Sequence, residues 1–156
     1  MADSAREIEH LLYTYAECID GGRLDDLAAL FAHGRIWPVP DPSPEMIAQG
    51  PDAVRALYDG VRIHADGTPR TKHVTSNAII EVDEEAGTAA ARSHYTVTQA
   101  TDALPLQVII TGRYHDTFRR IDATWWFDTR IMFVDQVGEL GEHLTFTIPG
   151  GPDSDT

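Results

Sequence analysis

The chain has 156 residues and 42% of them are hydrophobic, which is enough for the core of one folded domain and too much for a disordered protein. Its formal net charge of −13 argues against nucleic acid or an anionic membrane as a partner, because phosphate contacts require clustered Lys and Arg. Cys18 is the only cysteine, so no internal disulfide can form. The sequence shows neither a membrane-spanning apolar stretch nor a signal-peptide pattern, and we expect a cytoplasmic protein.

The first part of the chain carries the periodicity of helices. Residues 4–7 form a capping-box pattern that predicts the start of a first helix, and Gly21 predicts its end. The apolar stripe of this helix consists of Ile8, Leu12, Tyr15 and Ile19. A second helix is predicted from Leu24 to Ala32 and a third from Pro51 to about Val61. Four prolines within residues 37–44 predict a loop between these two helices.

The second part of the chain is rich in Val, Ile, Thr and aromatic residues and predicts strands. The predicted strands are Thr71–Val82, Thr88–Gln99, Leu106–Arg120 and Trp125–Gln136. The links 83–87 and 122–124 are short, so these neighbours should form antiparallel hairpins. Helices followed by a four-stranded meander predict an α+β domain over residues 1–148, with helices on one face of a curved sheet. Residues 149–156 are predicted to be a disordered C-terminal tail.

Residues 73–77 are the most informative segment of the chain. Side chains alternate along a strand, so His73, Thr75 and Asn77 are predicted to share one face. The opposite face then carries Val74, Ala78 and Ile80. One face can pack against a core, whereas the other presents a titratable ring and an amide. We expect the polar face to line a cavity that binds a small molecule.

Asp20 is the second residue that indicates a functional site. It lies in the last turn of the first predicted helix, where the helix dipole disfavours a carboxylate. It should therefore seek a positive or hydrogen-bonding partner, which His73 or Arg130 could supply. From its position alone, a solvated residue at the helix end is the simpler interpretation.

Three further residues are candidates for the same site. His94 lies in the second predicted strand, where hairpin pairing could bring it near His73. Tyr114 is predicted to point inward, either as a core aromatic with a satisfied hydroxyl or as a wall of the site. Arg130 lies in an apolar strand, where it is either an outward residue with a buried stem or a counter-charge inside a pocket.

The order of these features resembles the SnoaL-like branch of the nuclear transport factor 2-like superfamily. Within that branch the chain is similar to the group of scytalone dehydratase, bile-acid 7α-dehydratase and hexachlorocyclohexane dehydrochlorinase. The resemblance spans about residues 5–145. It implies a cone-shaped α+β barrel, in which three N-terminal helices pack on a strongly curved, mostly antiparallel sheet around a deep apolar pocket.

The resemblance also implies roles for individual residues. In the lyases of this group, a helix Asp orients a His that removes a proton from carbon, and Asp20 and His73 fall on those positions. Arg130 matches an Arg that stabilises the leaving group or the developing charge. Tyr15, Asn77 and His94 match substrate-facing residues of different members. Tyr114 and Trp37 are expected to line the same pocket, together with Leu57, Val108 and Ile110.

The expected chemistry is proton abstraction by a neutral imidazole that a carboxylate orients. The leading interpretation is a lyase or dehydratase that acts on a small hydrophobic, cyclic molecule and needs no cofactor. A ketosteroid-type isomerase or a polyketide cyclase could use the same dyad, and a non-catalytic ligand-binding or oligomerisation domain is a different class. A metal site made of His73, His94 and Asp20 is a further alternative that no spacing motif supports, and we expect no metal.

The last two predicted strands carry apolar residues on both faces, and helices can cover only one of them. The apolar residues on these two faces include Ile109, Phe127, Ile131 and Phe133. Exposed apolar sheet is typical of an interface, so the sequence predicts a homodimer or a homotrimer.

Overall fold

The computed structural model describes residues 3–149, and all but the first residue of the predicted tail lies outside this range. Helix α1 spans Ser4–Asp20, and its apolar stripe is buried as predicted. The predicted capping box is wrong in one respect, because the N-cap is Asp3 rather than Ser4. The Asp3 carboxylate accepts a hydrogen bond of 3.2 Å from the backbone N–H of Arg6.

Helices α2 and α3 are both shorter than predicted. Helix α2 spans Leu24–Ala29, and α3 spans Gly50–Leu57 before the chain tightens into a 3₁₀ turn at Tyr58–Gly60. Two short strands between these helices were not predicted. They are β1, Arg35–Trp37, and β2, Ala48–Gln49, and segments of three and two residues are too short to show a period of their own.

The four long strands follow in chain order as predicted, with ends that shift by one residue or none. They are β3, Thr71–Asp83; β4, Thr88–Gln99; β5, Gln107–Ile121; and β6, Thr124–Val137. The six strands form one sheet in the order β2-β1-β6-β5-β4-β3. All neighbours are antiparallel except β1 and β6, which are parallel.

The predicted fold class is confirmed: three helices pack on a curved, mostly antiparallel sheet. The sheet does not close into a complete barrel, since β2 and β3 form its two edges. The helices pack against the concave inner face of the sheet and bury the core between the two layers. No helix among residues 3–149 has the length and apolar character needed to cross a lipid bilayer.

A bulge in β3 changes which side chains face the core. The register against β4 shifts between Ser76 and Ile79, and Asn77 takes a φ of +54° at this point. His73 lies before the bulge and faces inward, whereas Asn77 is exposed. The predicted shared face of His73 and Asn77 is therefore wrong, because the extra residue reverses the alternation.

Beyond the bulge, the even-numbered residues of β3 turn inward instead. Ala78, Ile80 and Val82 pack against the core. Val74, which was predicted to share their face, remains exposed on the outer face of the sheet.

Bulges in β5 and β6 also influence which of the apolar residues on these strands reach the core. Ile109 lies at one register shift and Phe127 beside another, and both are fully buried in the core. Ile131 and Phe133 are only partly buried, and they alternate with inward-facing Arg130 and Met132. An outer apolar face does exist, but it consists of other exposed residues: Val74, Ile79, Leu106 and Val108.

Candidate functional site

A cavity of about 580 Å³ lies between the helices and the inner face of the sheet. Its apolar wall consists of Ile19, Pro38, Val39, Met46, Leu57, Val61, Val97, Ile110, Met132, Val134, Leu144, Phe146, Ile148 and Pro149. The polar side chains in the wall are Tyr15, Tyr58, His73, Tyr95, Tyr114, His143 and Thr147. A mostly apolar cavity with a few converging polar groups is typical of a site for a small organic molecule.

Asp20 and His73 meet at the edge of this cavity. Asp20 ends α1 and His73 lies near the start of β3, so the packing of the helix on the strand brings the two together. His73 Nδ1 lies 2.6 Å from Asp20 Oδ1, and the backbone N–H of His73 donates to Asp20 Oδ2 at 2.7 Å. The hydroxyl of Thr71 donates a third hydrogen bond to Asp20 Oδ1 at 2.8 Å.

These contacts determine the protonation of the pair. Burial alone would raise the pKa of Asp20, but the hydrogen bonds and the charge of His73, with the hydroxyl of Thr71, outweigh it and lower that pKa below its ordinary value. Asp20 is therefore an ionised acceptor at neutral pH, and Nδ1 of His73 carries the proton that it accepts. In the neutral form of His73 the other ring nitrogen, Nε2, has a free lone pair, and the ring lines the cavity.

A second imidazole, that of His143, lines the same cavity. It belongs to the C-terminal segment, residues 138–149, which follows the last strand. The centres of the His143 and His73 rings are 6.2 Å apart. Burial lowers the pKa of His143 to about 4, so this imidazole is neutral at neutral pH.

Tyrosines form the polar part of the cavity floor. The hydroxyls of Tyr15 and Tyr58 are hydrogen-bonded to each other. Tyr114 stacks on Tyr95 with ring centres 4.5 Å apart, and it meets Tyr15 edge-on at 5.9 Å. Burial raises the pKa of Tyr15, Tyr58 and Tyr114 above the ordinary tyrosine value, so all three hydroxyls are protonated at neutral pH.

Arg130 lies behind this floor rather than in the cavity wall. Its side chain is fully buried and forms two hydrogen bonds with the carboxylate of Asp116, at 2.8 and 2.9 Å. The guanidinium lies 3.7 Å from the centre of the Tyr114 ring and 4.2 Å from that of Tyr15. Although burial lowers the pKa of Arg130, the Asp116 carboxylate raises it above its ordinary value, and the group stays charged.

The structure brings together some of the predicted site residues and separates others. His73, Tyr15 and Tyr114 line the cavity with Leu57 and Ile110, and Asp20 is bonded to His73. The residues that do not line it are Arg130, Asn77, His94, Trp37 and Val108.

Local structure explains why several of these residues do not line the cavity. His94 lies opposite Ser76 on β4, between the buried residues Ser93 and Tyr95, and so faces outward. Asn77 is its exposed neighbour, with Asn77 Nδ2 3.4 Å from His94 Nδ1. Trp37 follows the buried residue Ile36 in β1 and faces away from the cavity, although the next residues of the chain line it.

Asp116, Tyr58 and His143 were not predicted. Asp116 could have been found, because it is the one acidic residue of β5 and an arginine buried in the next strand requires a counter-charge. Tyr58 and His143 lie in a helix end and a loop, which have no period that would place their side chains.

The three residues of the alternative metal site, His73, His94 and Asp20, do not come together. His94 lies on the outer face, away from Asp20 and His73. Within residues 3–149, no three His, Cys, Asp or Glu side chains converge in a group able to hold a metal ion.

Comparison with solved structures shows the same fold in several proteins of Novosphingobium aromaticivorans. An NTF2-like protein with a cystatin-like fold is 27% identical, with a TM-score of 0.66 over 83% of this chain and 80% of that one. A candidate scytalone dehydratase is 23% identical, with a TM-score of 0.66 over 93% and 89% of the two chains. The β subunit of a candidate aromatic-ring-hydroxylating dioxygenase is 17% identical, with a TM-score of 0.67 over 86% and 90%.

No curated protein matches the chain by sequence. The family described as the SnoaL-like domain matches residues 1–131, which is most of the chain and includes Asp20, His73 and Arg130. This match confirms the resemblance drawn from the sequence. The chain belongs to the SnoaL-like domain family.

Proposed function

We propose that this protein is a lyase of the dehydratase type that removes a proton from a carbon atom of a small, hydrophobic, cyclic molecule. His73 is the base and Asp20 its orienting partner. The observation that carries the proposal is the 2.6 Å contact between Asp20 Oδ1 and His73 Nδ1 at the wall of an apolar cavity. The family and the likeness to a candidate scytalone dehydratase support it.

The dyad has the properties that such a base requires. Asp20 holds the proton of His73 on Nδ1, which leaves Nε2 free to accept another. When Nε2 takes up a proton, the ring becomes an imidazolium, and the adjacent carboxylate stabilises the new charge. The apolar wall limits water around the dyad, so this electrostatic support is stronger than it would be in solvent.

In the elimination, Nε2 of His73 takes a proton from a carbon next to a carbonyl group. The electron pair of the broken C–H bond forms the new C=C bond, and the hydroxyl on the neighbouring carbon leaves. The proton held by His73 combines with that hydroxyl to give water, and the base returns to its starting state. Tyr114 can donate to the oxygen of the departing hydroxyl, on which negative charge also develops, because it is neutral and lines the cavity.

Isomerisation or cyclisation begins with the same proton abstraction, so the decisive experiment measures that step alone. We expect the protein to accelerate hydrogen–deuterium exchange at the α-carbon of some member of a panel of cyclic ketones in D₂O, followed by proton NMR. His73→Ala should slow the accelerated exchange by about 10²–10⁴-fold. His94→Ala is the matched control, since this histidine is exposed on the outer face, and it should retain the exchange.

A non-catalytic ligand-binding or oligomerisation domain is the second candidate. The exposed apolar residues on the outer face of the sheet favour it, since such a surface is typical of an interface. A fold shared with the β subunit of a candidate dioxygenase is consistent with that role. Ligands that bind without accelerated exchange would favour the binding domain over the enzyme.

A further inference from the structure

The C-terminal segment, residues 138–149, adds groups to the cavity from outside the part of the chain that matches the family. The match ends at residue 131. Three hydrogen bonds fix the segment around His143. The Glu142 carbonyl accepts from Gln99 Nε2 at 3.0 Å and contacts His64 Nε2 at 2.8 Å, and the His143 carbonyl accepts from the backbone N–H of Arg62 at 2.7 Å. The backbone therefore holds the His143 ring in a defined position.

The environment of this ring is asymmetric. His143 is 6% exposed and lines the cavity. Its Nδ1 is enclosed and has no hydrogen-bond partner among residues 3–149. Buried acceptors without a partner are tolerated more often than buried N–H donors, which favours the tautomer with the proton on Nε2. Nε2 is then the nitrogen left to donate into the cavity.

The two imidazoles of the site thus have opposite polarity. Asp20 holds the proton of His73 on Nδ1, so the free nitrogen of His73 is an acceptor. The free nitrogen of His143 is a donor. Because the ring centres are 6.2 Å apart, one small molecule can contact both.

We propose that His143 donates a hydrogen bond from Nε2 to a neutral oxygen of the bound molecule, beside the carbon from which His73 takes a proton. This inference rests on the proposed function and narrows its substrates to neutral ketones or hydroxyketones with an apolar body. The charged and titratable groups that act on His143 are His73, His64 and Asp20, and burial is the main reason that its pKa is about 4. A neutral imidazole supplies no positive charge to offset the desolvation of a carboxylate, so carboxylate ligands should bind more weakly than ketones.

The test compares three probes of similar shape in calorimetric titrations: 2-indanone, its hydrocarbon counterpart indane, and indane-2-carboxylate. The wild-type protein should bind the ketone roughly two- to tenfold more tightly than the hydrocarbon, and the carboxylate most weakly. His143→Leu should reduce ketone affinity to the level of the hydrocarbon, while hydrocarbon binding shows that the cavity is intact. The ketone preference should persist from pH 5.5 to pH 8, because His143 stays neutral over that range.

The positions of the protons on the two imidazole rings can be measured in the wild-type protein, without any variant. Long-range ¹H–¹⁵N NMR spectra of the wild-type protein should show the proton of His143 on Nε2 and that of His73 on Nδ1. The inference is overturned by a His143 proton on Nδ1, by equal or absent binding of ketone and hydrocarbon, or by a ketone preference that survives His143→Leu. The two proposals can fail separately. A His143-dependent ketone preference without α-carbon exchange would contradict His73 as a base, whereas exchange without that preference would contradict the role of His143.

Discussion

Asp20 accepts three hydrogen bonds, two from His73 and one from Thr71, and so fixes both the position and the tautomer of the imidazole. Such a carboxylate acts through its neighbour rather than on the substrate. Its removal should therefore change the same step as the removal of His73, and the two effects should not add.

We predict that Asp20→Asn lowers the rate of α-proton exchange by about 10²–10⁴-fold, because an amide neither holds the same tautomer as firmly nor stabilises an imidazolium. The double variant with His73→Ala should be little slower than His73→Ala alone. Thr71→Val is a matched control that removes one hydrogen bond to Asp20 but keeps the carboxylate, and it should have a smaller effect. Additive losses in the double variant would show that the two residues act independently.

His143 should make the stability of the protein depend on pH in a defined window. Its pKa is about 4 in the folded protein, whereas an unfolded histidine has a pKa of about 6.5. Between these values the unfolded chain binds the extra proton and the folded protein does not, so stability falls as the pH falls. This group should cost about 2 kcal/mol of unfolding free energy between pH 7 and pH 5.

Urea denaturation of the wild-type protein and of His143→Leu at both pH values measures this contribution as a difference. The variant should lose about 2 kcal/mol less than the wild type on acidification. Equal losses in the two proteins would mean that the His143 ring is not buried in its neutral form.

The Arg130–Asp116 pair is fully buried. Either charge should destabilise the folded protein if its partner is removed. We predict that Arg130→Met lowers the unfolding free energy by about 3–5 kcal/mol, because it leaves the Asp116 carboxylate buried without a counter-charge. The double variant Arg130→Met/Asp116→Leu should recover most of that loss. Urea denaturation measures both. A double variant as unstable as the single one would show that the Tyr15 and Tyr114 contacts of the guanidinium matter more than the pair.

At the scale of elements, the bulges decide which residues reach the site. The periodicity of the sequence predicted β3 to β6 almost to the residue, because four long segments rich in β-branched and aromatic side chains have few alternatives. The same periodicity misplaced Asn77, because a bulge reverses the alternation and leaves no clear trace in a hydrophobic pattern.

The site also contains residues that the sequence could place and residues that it could not. Asp20 and His73 could be predicted because each lies next to a strong local signal: a helix end for Asp20, and for His73 the part of β3 that precedes the bulge. His94 was assigned to the site on hairpin pairing and on the family resemblance, but pairing does not determine which face a residue occupies. His143 lies in a segment without periodicity, where only tertiary contacts such as that between Glu142 and Gln99 position the side chain.

Asn77 allows a direct test of the bulge in β3. Its φ of +54° is accessible to Asn and Gly but strained for a β-branched residue. We predict that Asn77→Val lowers the unfolding free energy by about 1–2 kcal/mol, whereas Asn77→Gly changes it by less than about 0.5 kcal/mol. Urea denaturation of the two variants checks this. Equal stability would indicate that the backbone at this position does not have a positive φ.

At the scale of the molecule, the two faces of the sheet differ in what they contact. The concave face holds the core and the cavity, with His73 and His143 among the few polar groups in its wall. The outer face carries apolar side chains that nothing within residues 3–149 covers. A surface of this kind is stable in water when a second copy of the chain covers it, so an interface on the outer face leaves the cavity accessible.

We predict that the protein forms a homodimer or a homotrimer through this outer face, with Val74, Ile79 and Val108 at the interface. Light scattering at micromolar concentration should give the mass of the dimer or trimer. Val108→Lys should shift the mass toward the monomer, because it places a charge in an apolar interface. Ile63→Lys is the matched control, since Ile63 is an exposed apolar residue outside the sheet, and it should leave the mass unchanged. A monomeric wild-type protein, or an equal effect of the two lysines, would show that the outer face is not the interface.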